Sequence, residues 1–191
     1  MKELIELAQK IEDNSLRNKV IEFLKNPKLS NPNFEKYKPE KIEKVRTPFS
    51  SGSLIVDRDV LNHTIAVAKA CISIANVVEE TYGIMLNKDY LLAGAILHDL
   101  GKLFEWKMTN QIPEHTGILL DHTILITSEL YKRDFPEEVI HMVASHFGET
   151  GPTPPRTLEA HILAYVDNLL SVFEWKVGSI FGNLQTETKK G

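Results

Sequence analysis

Apolar side chains recur at intervals of three and four residues along most of this 191-residue chain. That spacing is typical of amphipathic helices, because it places the apolar side chains on one face. The pattern predicts seven helices, over about 2–12, 15–24, 57 or 59–81, 88–100, 116–133, 136–148 and 158–177. No segment shows the alternation typical of a half-buried strand, so the fold is predicted to be all-α.

Proline-rich polar segments separate some of these helices. Residues 26–48 hold four prolines, and the sequence SSGS follows at 50–53. Proline fixes φ and lacks a backbone donor, so no long regular helix is predicted there. A second connection of this kind is TGPTPPR at 150–156, and residues 184–191 are predicted to be a flexible tail.

The helix predicted to begin at Asp57 or Asp59 is apolar over much of its circumference. We therefore predict that it is a central, mostly buried helix. His63 lies on its first turns, and Cys71 lies in its apolar run, where a thiol is expected to be inert.

The next helix ends in an unusual way, within the sequence LLAGAILHDLGK of residues 91–102. His98 and Asp99 close the apolar run, where both side chains can turn toward one cation. Gly101 is predicted to end the helix in a left-handed conformation. Lys102 then lies beside the site, either as a cation for an anionic substrate or as a lysine that complements the helix dipole.

Polar residues that could bind a metal stand out in the interior of five predicted helices. They are His63, His98, Asp99, His122, His146 and Asp167. Asp167 lies within the apolar run ILAYVDNLL, where an unpaired charge would be costly. Imidazole and carboxylate ligands without thiolates favour Fe²⁺, Mn²⁺, Co²⁺, Ni²⁺ or Zn²⁺ over a cysteine-rich structural zinc site. Each residue alone also fits a buried hydrogen bond or ion pair, so the interpretation depends on their joint occurrence.

Composition narrows the classes of function. A net charge of −4 and a pI near 6.0 give no global basic field for non-specific nucleic-acid binding. The single cysteine cannot form an internal disulfide, which fits a reducing compartment. The start of the chain, MKELIELAQK, lacks the apolar region of a signal peptide, and we expect that no stretch approaches a membrane span in length. We therefore predict a cytoplasmic protein without a membrane partner.

The order His, His-Asp, His, His, Asp on successive helices resembles the HD superfamily of metal-dependent phosphohydrolases, and AGAILHDLGK matches its defining motif. Four further segments resemble the other ligand-bearing helices of that family: LNHTIAVAKA, LLDHTILITSEL, EVIHMVASHFGE and AHILAYVDNL. The resemblance implies a single HD domain over residues 1–183. Residues 1–56 would form its N-terminal helices and Pro-rich loop, and residues 57–178 its metal-binding helical core.

The resemblance also implies a ligand set for two metals per chain. His63, His98, Asp99 and Asp167 would hold one metal, while Asp99 would bridge to a second metal completed by His122 and His146. Some subgroups have paired histidines where this chain has His146 and Phe147, which leaves the completeness of the second site open. Two cations about 3.5–4 Å apart can activate a water and neutralise charge on phosphoryl oxygens.

Other residues are assigned roles from their position and chemistry alone. Asp99 and Lys102 are the expected catalytic residues. His115, Arg133 and Arg156 are candidate substrate contacts, as are Arg46 and Arg58, although each also fits a surface salt bridge.

The chain resembles three subgroups of the HD superfamily that have different activities, so the class of reaction stays open. Free-standing archaeal HD phosphodiesterases, of the type that opens dihydroneopterin 2′,3′-cyclic phosphate, imply a small cyclic-phosphate or nucleotide-like substrate, and this is the reading we favour. The segment SHFGETGPTPPRTLEAHILAYVDNL also resembles the HD domain of bacterial 3′–5′ exoribonucleases, which implies RNA as a less favoured partner. The ligand set further resembles HD-fold di-iron oxygenases. The exact substrate, the native metal and the oligomeric state stay open.

Overall fold

The computed structural model describes residues 1–51, 54–110 and 112–187. Within these residues the chain forms eight α-helices and two antiparallel strand pairs. The helices are α1 (Lys2–Ala8), α2 (Asn14–Lys25), α3 (Val60–Tyr82), α4 (Lys88–Leu97), α5 (Lys102–Glu105), α6 (His122–Lys132), α7 (Glu137–Ala144) and α8 (Leu158–Glu187). The strands are β1 (Arg46–Ser51), β2 (Leu54–Asp59), β3 (Trp106–Thr109) and β4 (Ile112–His115). Helices dominate, which confirms the predicted all-α class.

Short polar side chains fix where several helices begin. Asp13, Asp59, Asn87 and Asp121 each accept a hydrogen bond from the backbone N–H three residues further on. These bonds satisfy donors that a helix leaves unpaired at its first turn. Gly83 ends α3 with a φ of +67°, a left-handed conformation that glycine adopts without a steric cost.

The central helix is α4. Residues 91–97 are all buried, and α4 packs against α1, α2, α3, α7 and α8. The prediction that α3 is mostly buried was wrong, because only 8 of its 23 residues are buried and Val77 and Tyr82 on its outer side are exposed. Since α4 is enclosed on all sides, the two polar residues that follow it, His98 and Asp99, lie in the interior of the protein.

Two hairpins interrupt the helices. β1 pairs with β2 from Arg46–Asp59 to Ser51–Leu54, and β3 pairs with β4 from Trp106–His115 to Thr109–Ile112. The loop predicted over 26–53 therefore contains a strand. Pairing with a neighbouring strand satisfies the backbone even where the sequence shows no alternation, so local pattern did not reveal it. The predicted SSGS loop includes residues 52–53, which lie outside the described residues.

Two helix boundaries also differ from their predictions. α6 begins at His122 rather than near residue 116: β4 ends at His115, residues 116–121 form a connection without helix or strand, and Asp121 caps the helix. α8 continues to Glu187, beyond the predicted end at 177 and into the segment predicted as a flexible tail. Residues 188–191 of that segment lie outside the described part of the chain.

One helix of the described chain has the length and composition of a membrane span. α3 has 23 residues and a mean hydropathy of 1.3 over its most apolar 18-residue window. The expectation that no stretch approaches that length was therefore wrong. Because 44% of the window is buried and α3 packs against α4 and α8, the interior of the bundle accounts for this composition.

Candidate metal centre

Five helices bring the six predicted ligands to one place. His63 lies in α3, His98 and Asp99 follow α4, and the remaining three come from α6, the end of α7 and α8. The four histidines and Asp99 are buried, and only 13% of the Asp167 side chain is exposed. The site is thus built on rigid elements in the interior of the fold.

The first half of the site joins α3, α4 and α8. The Nε2 atom of His63 lies 2.9 Å from Asp167 Oδ1 and 3.8 Å from Asp99 Oδ2. The Nε2 atom of His98 lies 3.6 Å from Asp99 Oδ2 and 4.0 Å from Asp167 Oδ1. Atoms of His63, His98 and Asp99 lie within 4.8 Å of one another, a spacing that could hold one metal ion.

The second half of the site uses the other oxygen of Asp99. His122 Nε2 lies 3.5 Å and His146 Nε2 lies 4.0 Å from Asp99 Oδ1. Ligand atoms of these three residues also lie within 4.8 Å of one another. Asp99 therefore belongs to two groups of metal-binding atoms, with one carboxylate oxygen directed to each.

A hydrogen bond at Nδ1 fixes the orientation of each of the four imidazoles. The Nδ1 atoms of His98 and His146 contact the carbonyl oxygens of Ala95 at 2.8 Å and Val143 at 2.7 Å. Those of His63 and His122 contact Glu174 at 2.9 Å and Glu105 at 3.2 Å. Because an oxygen accepts in every case, each Nδ1 carries the proton. The Nε2 lone pairs of His98, His122 and His146 then face Asp99, as is typical of histidines that bind a metal, whereas His63 Nε2 contacts the Asp167 carboxylate.

The donor set fits divalent cations. The Nε2 atoms of His98 and His122 are buried and have no hydrogen-bond partner among the described residues. Leaving a buried polar atom unpaired is costly, and a cation between these atoms and Asp99 would remove that cost. Four imidazoles with two carboxylates also match the ligand preferences of Fe²⁺, Mn²⁺, Co²⁺, Ni²⁺ and Zn²⁺.

Charge in the site favours ligands in their metal-binding protonation states. Burial lowers the pKa of His98, and it lowers the pKa of His146 to about 4, with His98 acting in the same direction. Burial opposes ionisation of Asp99, but the ammonium of Lys102, 2.7 Å away, and the neighbouring histidines hold the pKa of Asp99 well below its ordinary value. These two imidazoles are therefore neutral and Asp99 is ionised at neutral pH.

Lys102 lies within the site, as predicted, but its contact is with Asp99. Its Nζ donates a hydrogen bond to Asp99 Oδ2, and the residue is buried at the start of α5. Gly101, just before it, has φ −61° and ψ −26°, so the predicted left-handed conformation was wrong. A Cβ atom there would lie 2.2 Å from the backbone oxygen of His122, which means that glycine permits a close approach of two backbone segments.

Sequence reasoning missed two supporting carboxylates, of which Glu105 is buried and Glu174 is half-buried. Glu105 accepts hydrogen bonds from the backbone N–H of His122 at 2.5 Å and from its Nδ1 at 3.2 Å. Glu174 accepts from His63 Nδ1 and also pairs with Arg58, whose Nε lies 3.1 Å from Glu174 Oε2. An acidic residue within the apolar run LFEW was a signal for Glu105, and the spacing of seven residues from Asp167 was a signal for Glu174.

A second chain of contacts joins Arg58 to Asp167, the other carboxylate that contacts His63. Arg58 donates a hydrogen bond to the hydroxyl of Ser171 at 2.5 Å, and that hydroxyl lies 3.4 Å from Asp167 Oδ1. His63, Asp167, Ser171, Arg58 and Glu174 thus form a closed ring of contacts. Arg58, a candidate substrate contact, supports ligands in this structure.

The other candidate substrate contacts have different surroundings. Arg133 lies at the far end of α6 from His122, roughly 16 Å along the axis. Its guanidinium contacts Glu129 and the carbonyl of Lys28. Arg46 pairs with Asp59, Arg156 is exposed, and His115 is exposed in β4, with its ring 5.4 Å from that of Trp106. Their roles as substrate contacts stay predictions.

Phe147 borders the site where it approaches solvent. Its ring centroid lies 4.4 Å from that of His146 and 5.5 Å from that of His122, and 47% of the residue is exposed. The position after His146 is thus filled by an aromatic wall instead of a further imidazole. His122 completes the second group of ligands without it.

Comparison with known proteins places these residues in a family. The HD domain family matches residues 60–171. Over 170 residues, the chain is 43% identical to the dihydroneopterin 2′,3′-cyclic phosphate phosphodiesterase of Methanocaldococcus jannaschii, an alignment that covers 87% of this chain and 67% of that protein.

Shorter matches link the chain to exoribonucleases. Over 98 residues, it is 40% identical to the 3′-5′ exoribonuclease YhaM of a Geobacillus species and 41% identical to that of Bacillus subtilis. These alignments cover 44% of this chain but only 30% and 31% of the two exoribonucleases. No solved structure matched the chain.

Proposed function

This chain belongs to the HD domain family, and from that premise we propose that it is a metal-dependent phosphodiesterase that hydrolyses a small cyclic-phosphate substrate. The observation that carries the proposal is the position of Asp99, whose two carboxylate oxygens lie in two adjoining groups of buried histidines. Such an arrangement suits the hydrolysis of a phosphate ester, because substrate and water must be held against concentrated positive charge.

We propose two divalent cations per chain. His63, His98, Asp99 and Asp167 would hold one, and Asp99, His122 and His146 the other. When bound, such cations supply Lewis acidity and lower the pKa of a water. Ligands with nitrogen and oxygen donors favour Fe²⁺ or Mn²⁺, with Zn²⁺, Co²⁺ and Ni²⁺ as alternatives.

The chain's own residues perform three tasks in this proposal. Asp99 and the ring of contacts around His63 fix the positions of the ligand atoms. Lys102 places an ammonium beside Asp99, where it balances the carboxylate charge and attracts an anionic phosphate. The apolar packing of α4 excludes bulk water from the inner side of the site, which strengthens these charge interactions.

Two observations support a class of substrate: the similarity to the relative from Methanocaldococcus jannaschii and the exposed ring of Phe147. The relative from Methanocaldococcus jannaschii is named for a cyclic phosphate attached to a flat pterin ring, and the alignment with it covers 87% of this chain. The half-exposed Phe147 ring beside His146 could lie against a flat ring attached to the phosphate. We therefore propose a 2′,3′-cyclic phosphate of a planar heterocycle as the substrate.

RNA is the second candidate substrate. The identity of 40–41% with the exoribonucleases favours it, but this chain spans less than a third of their length. The net charge of −4 does not favour binding of a long polyanion. We also propose that the protein is cytoplasmic, which the single, buried, free thiol of Cys71 supports.

The test begins with protein purified without oxygen, in which bound metals are counted and activity is assayed in the same sample. We expect about two metals per chain and turnover of 2′,3′-cyclic phosphates. Shortening of RNA from its 3′ end with no turnover of small cyclic phosphates would favour the exoribonuclease. Two irons with oxygen-dependent chemistry and no hydrolysis would favour the oxygenase.

Asp99→Ala should remove metal and activity together while the helical circular dichroism is retained. Glu80→Ala, which replaces an exposed carboxylate of α3, is the control and should keep both. Turnover by Asp99→Ala would contradict the proposal.

A further inference from the structure

An apolar groove runs between the outer sides of α3 and α8, and its cavity volume is about 530 Å³. It is lined by Ile74, Val78, Tyr82, Ile84, Leu158, His161, Ile162, Tyr165, Val166 and Leu169. All but His161 are apolar or aromatic, and the His161 ring is stacked on Tyr165 with centroids 6.1 Å apart. Such a lining, poor in charge, is typical of the core of a protein interface.

The exposed area of this groove is large. Six of its side chains, Ile74, Tyr82, Ile84, Leu158, Tyr165 and Leu169, are each 39% to 71% exposed. At about 200 Å² for a fully exposed large side chain, they present roughly 700 Å² of apolar surface. The largest apolar patch on a monomer is roughly 300–600 Å², and each partner in a stable dimer buries about 800 Å². The groove thus approaches the area that one copy contributes to a dimer.

α8 also carries a seam that suits an identical helix. Leu158, Ile162, Tyr165, Leu169 and Val172 follow one another at alternating intervals of four and three residues. The first four line the groove, and Val172 is 48% exposed. This is the heptad spacing with which two helices pack side by side. A two-fold axis presents the same patch from both copies, so the seam of one copy faces that of the other.

We propose that the face formed by α3 and α8 is a homodimer interface, in which a second copy of this chain lays its α8 seam along the groove. Tyr165 and Leu169, both about two-thirds exposed at the middle of the seam, are its anchoring residues. Asp167 is on the same helix, but it lies outside the seam and contacts His63. Dimer formation through the seam therefore would not cover the metal centre.

Sedimentation velocity and light scattering of the full chain at micromolar concentrations test this inference. The wild type should have twice the 21.7 kDa mass of one chain. Tyr165→Glu should raise the dissociation constant for the dimer about 30-fold or more, because it places a charge at the centre of the interface. Tyr131→Glu on α6 is the matched control, since Tyr131 is 77% exposed and lies outside the groove. It should dimerise as the wild type does.

Amide hydrogen exchange of the wild type keeps the inference testable if Tyr165→Glu fails to fold. Residues 74–82 and 158–172 should gain protection as the concentration rises through the dissociation constant. A monomeric wild type, a dimer unaffected by Tyr165→Glu, or protection gained only elsewhere would each overturn the proposal. The proposal would also be overturned if the wild type were a monomer that binds phosphatidylcholine vesicles in a flotation assay and Tyr165→Glu abolished that binding. Such a result would assign the face to a membrane.

Discussion

At the scale of single residues, Gly101 shows how little space separates the two halves of the metal centre. Its backbone is right-handed, so conformational freedom does not explain the glycine. The explanation is the backbone oxygen of His122, which would lie 2.2 Å from a Cβ at this position. That approach brings the start of α6, and with it the His122 imidazole, to Asp99.

Gly101→Ala should therefore push α6 away from Asp99. We expect a loss of about 1–3 kcal/mol in the free energy of unfolding from overpacking, and weaker binding of the metal held by His122 and His146. Urea unfolding and metal titration measure the two effects. Gly117→Ala is the control, because Gly117 has φ +82° with no atom close to a Cβ. It should lower stability without changing metal affinity, and unchanged metal binding by Gly101→Ala would contradict this account.

Phe147 offers a test of substrate choice at the same scale. If its ring lies against a flat ring of the substrate, Phe147→Ala should raise KM about 2- to 10-fold for a cyclic phosphate that carries a planar heterocycle, since such ring contacts contribute about 0.5–1.5 kcal/mol. For a cyclic phosphate without a ring system, such as that of glycerol, KM should not change. Phe147→Tyr should behave as the wild type does. Equal losses for both substrates would instead assign Phe147 a structural role beside His146.

At the scale of an element, one side of α8 organises the first half of the metal centre. Asp167, Ser171 and Glu174 are four and three residues apart, so they share a face of the helix. Asp167 contacts Nε2 of His63, and Glu174 contacts its Nδ1. One helix therefore holds both nitrogens of an imidazole that belongs to another helix.

Glu174→Ala should lower the affinity for metal about 10- to 100-fold, because partners of a ligand imidazole fix its orientation and proton. Glu174→Gln keeps an oxygen that can accept from His63 Nδ1, so it should lose less. Glu80→Ala, at an exposed position of α3, should bind metal as the wild type does. Metal titration followed by calorimetry distinguishes these variants, and equal affinity for all three would show that Glu174 does not position His63.

The elements also show what the sequence could and could not predict. The long amphipathic helices and the start of α3 at Asp59 were predictable, because apolar spacing and the chemistry of a helix start are local. The strand pairs were not, since their backbone is satisfied by a distant partner. The six proposed ligands were identified because polar groups in apolar runs are conspicuous. The close approach at Gly101 and the contact of Arg58 with Glu174 depend on tertiary structure.

At the scale of the whole molecule, the metal centre joins the elements that surround α4. A cation bound only by the folded protein stabilises it in proportion to the logarithm of its concentration above Kd. Mn²⁺ at about 100 times Kd should therefore raise the free energy of unfolding by about 2.7 kcal/mol. Thermal unfolding in a Mn²⁺ series measures this, and Asp99→Ala should show no such rise. Stabilisation of Asp99→Ala to the same extent would place the cation elsewhere.

The buried histidines further couple stability to pH in protein stripped of metal. Burial lowers the pKa of His146 from 6.5 to about 4, and it lowers that of His98 as well. For each residue the unfolded chain binds more protons than the folded one below pH 6.5, so the stability that each contributes is full above pH 6.5 and is lost as the pH falls. For His146 that loss is spread over the range from pH 6.5 down to about 4. His63 acts in the opposite sense, because burial is outweighed by its contacts with Asp167 and Glu174 and its pKa is raised. Its contribution is full below pH 6.5 and is lost as the pH rises through its folded pKa.

His146 and His98 lose their contribution to stability as the pH falls, and only His63 acts in the opposite sense. We therefore expect the urea midpoint of the metal-stripped protein to fall as the pH is lowered from 6.5 toward 4. His146→Gln should flatten this dependence, because it removes one of the two groups that the unfolded chain protonates. His115→Gln, in the exposed strand β4, should retain the wild-type slope. A slope in His146→Gln as steep as that of the wild type would mean that acid destabilises the fold through groups outside the metal centre.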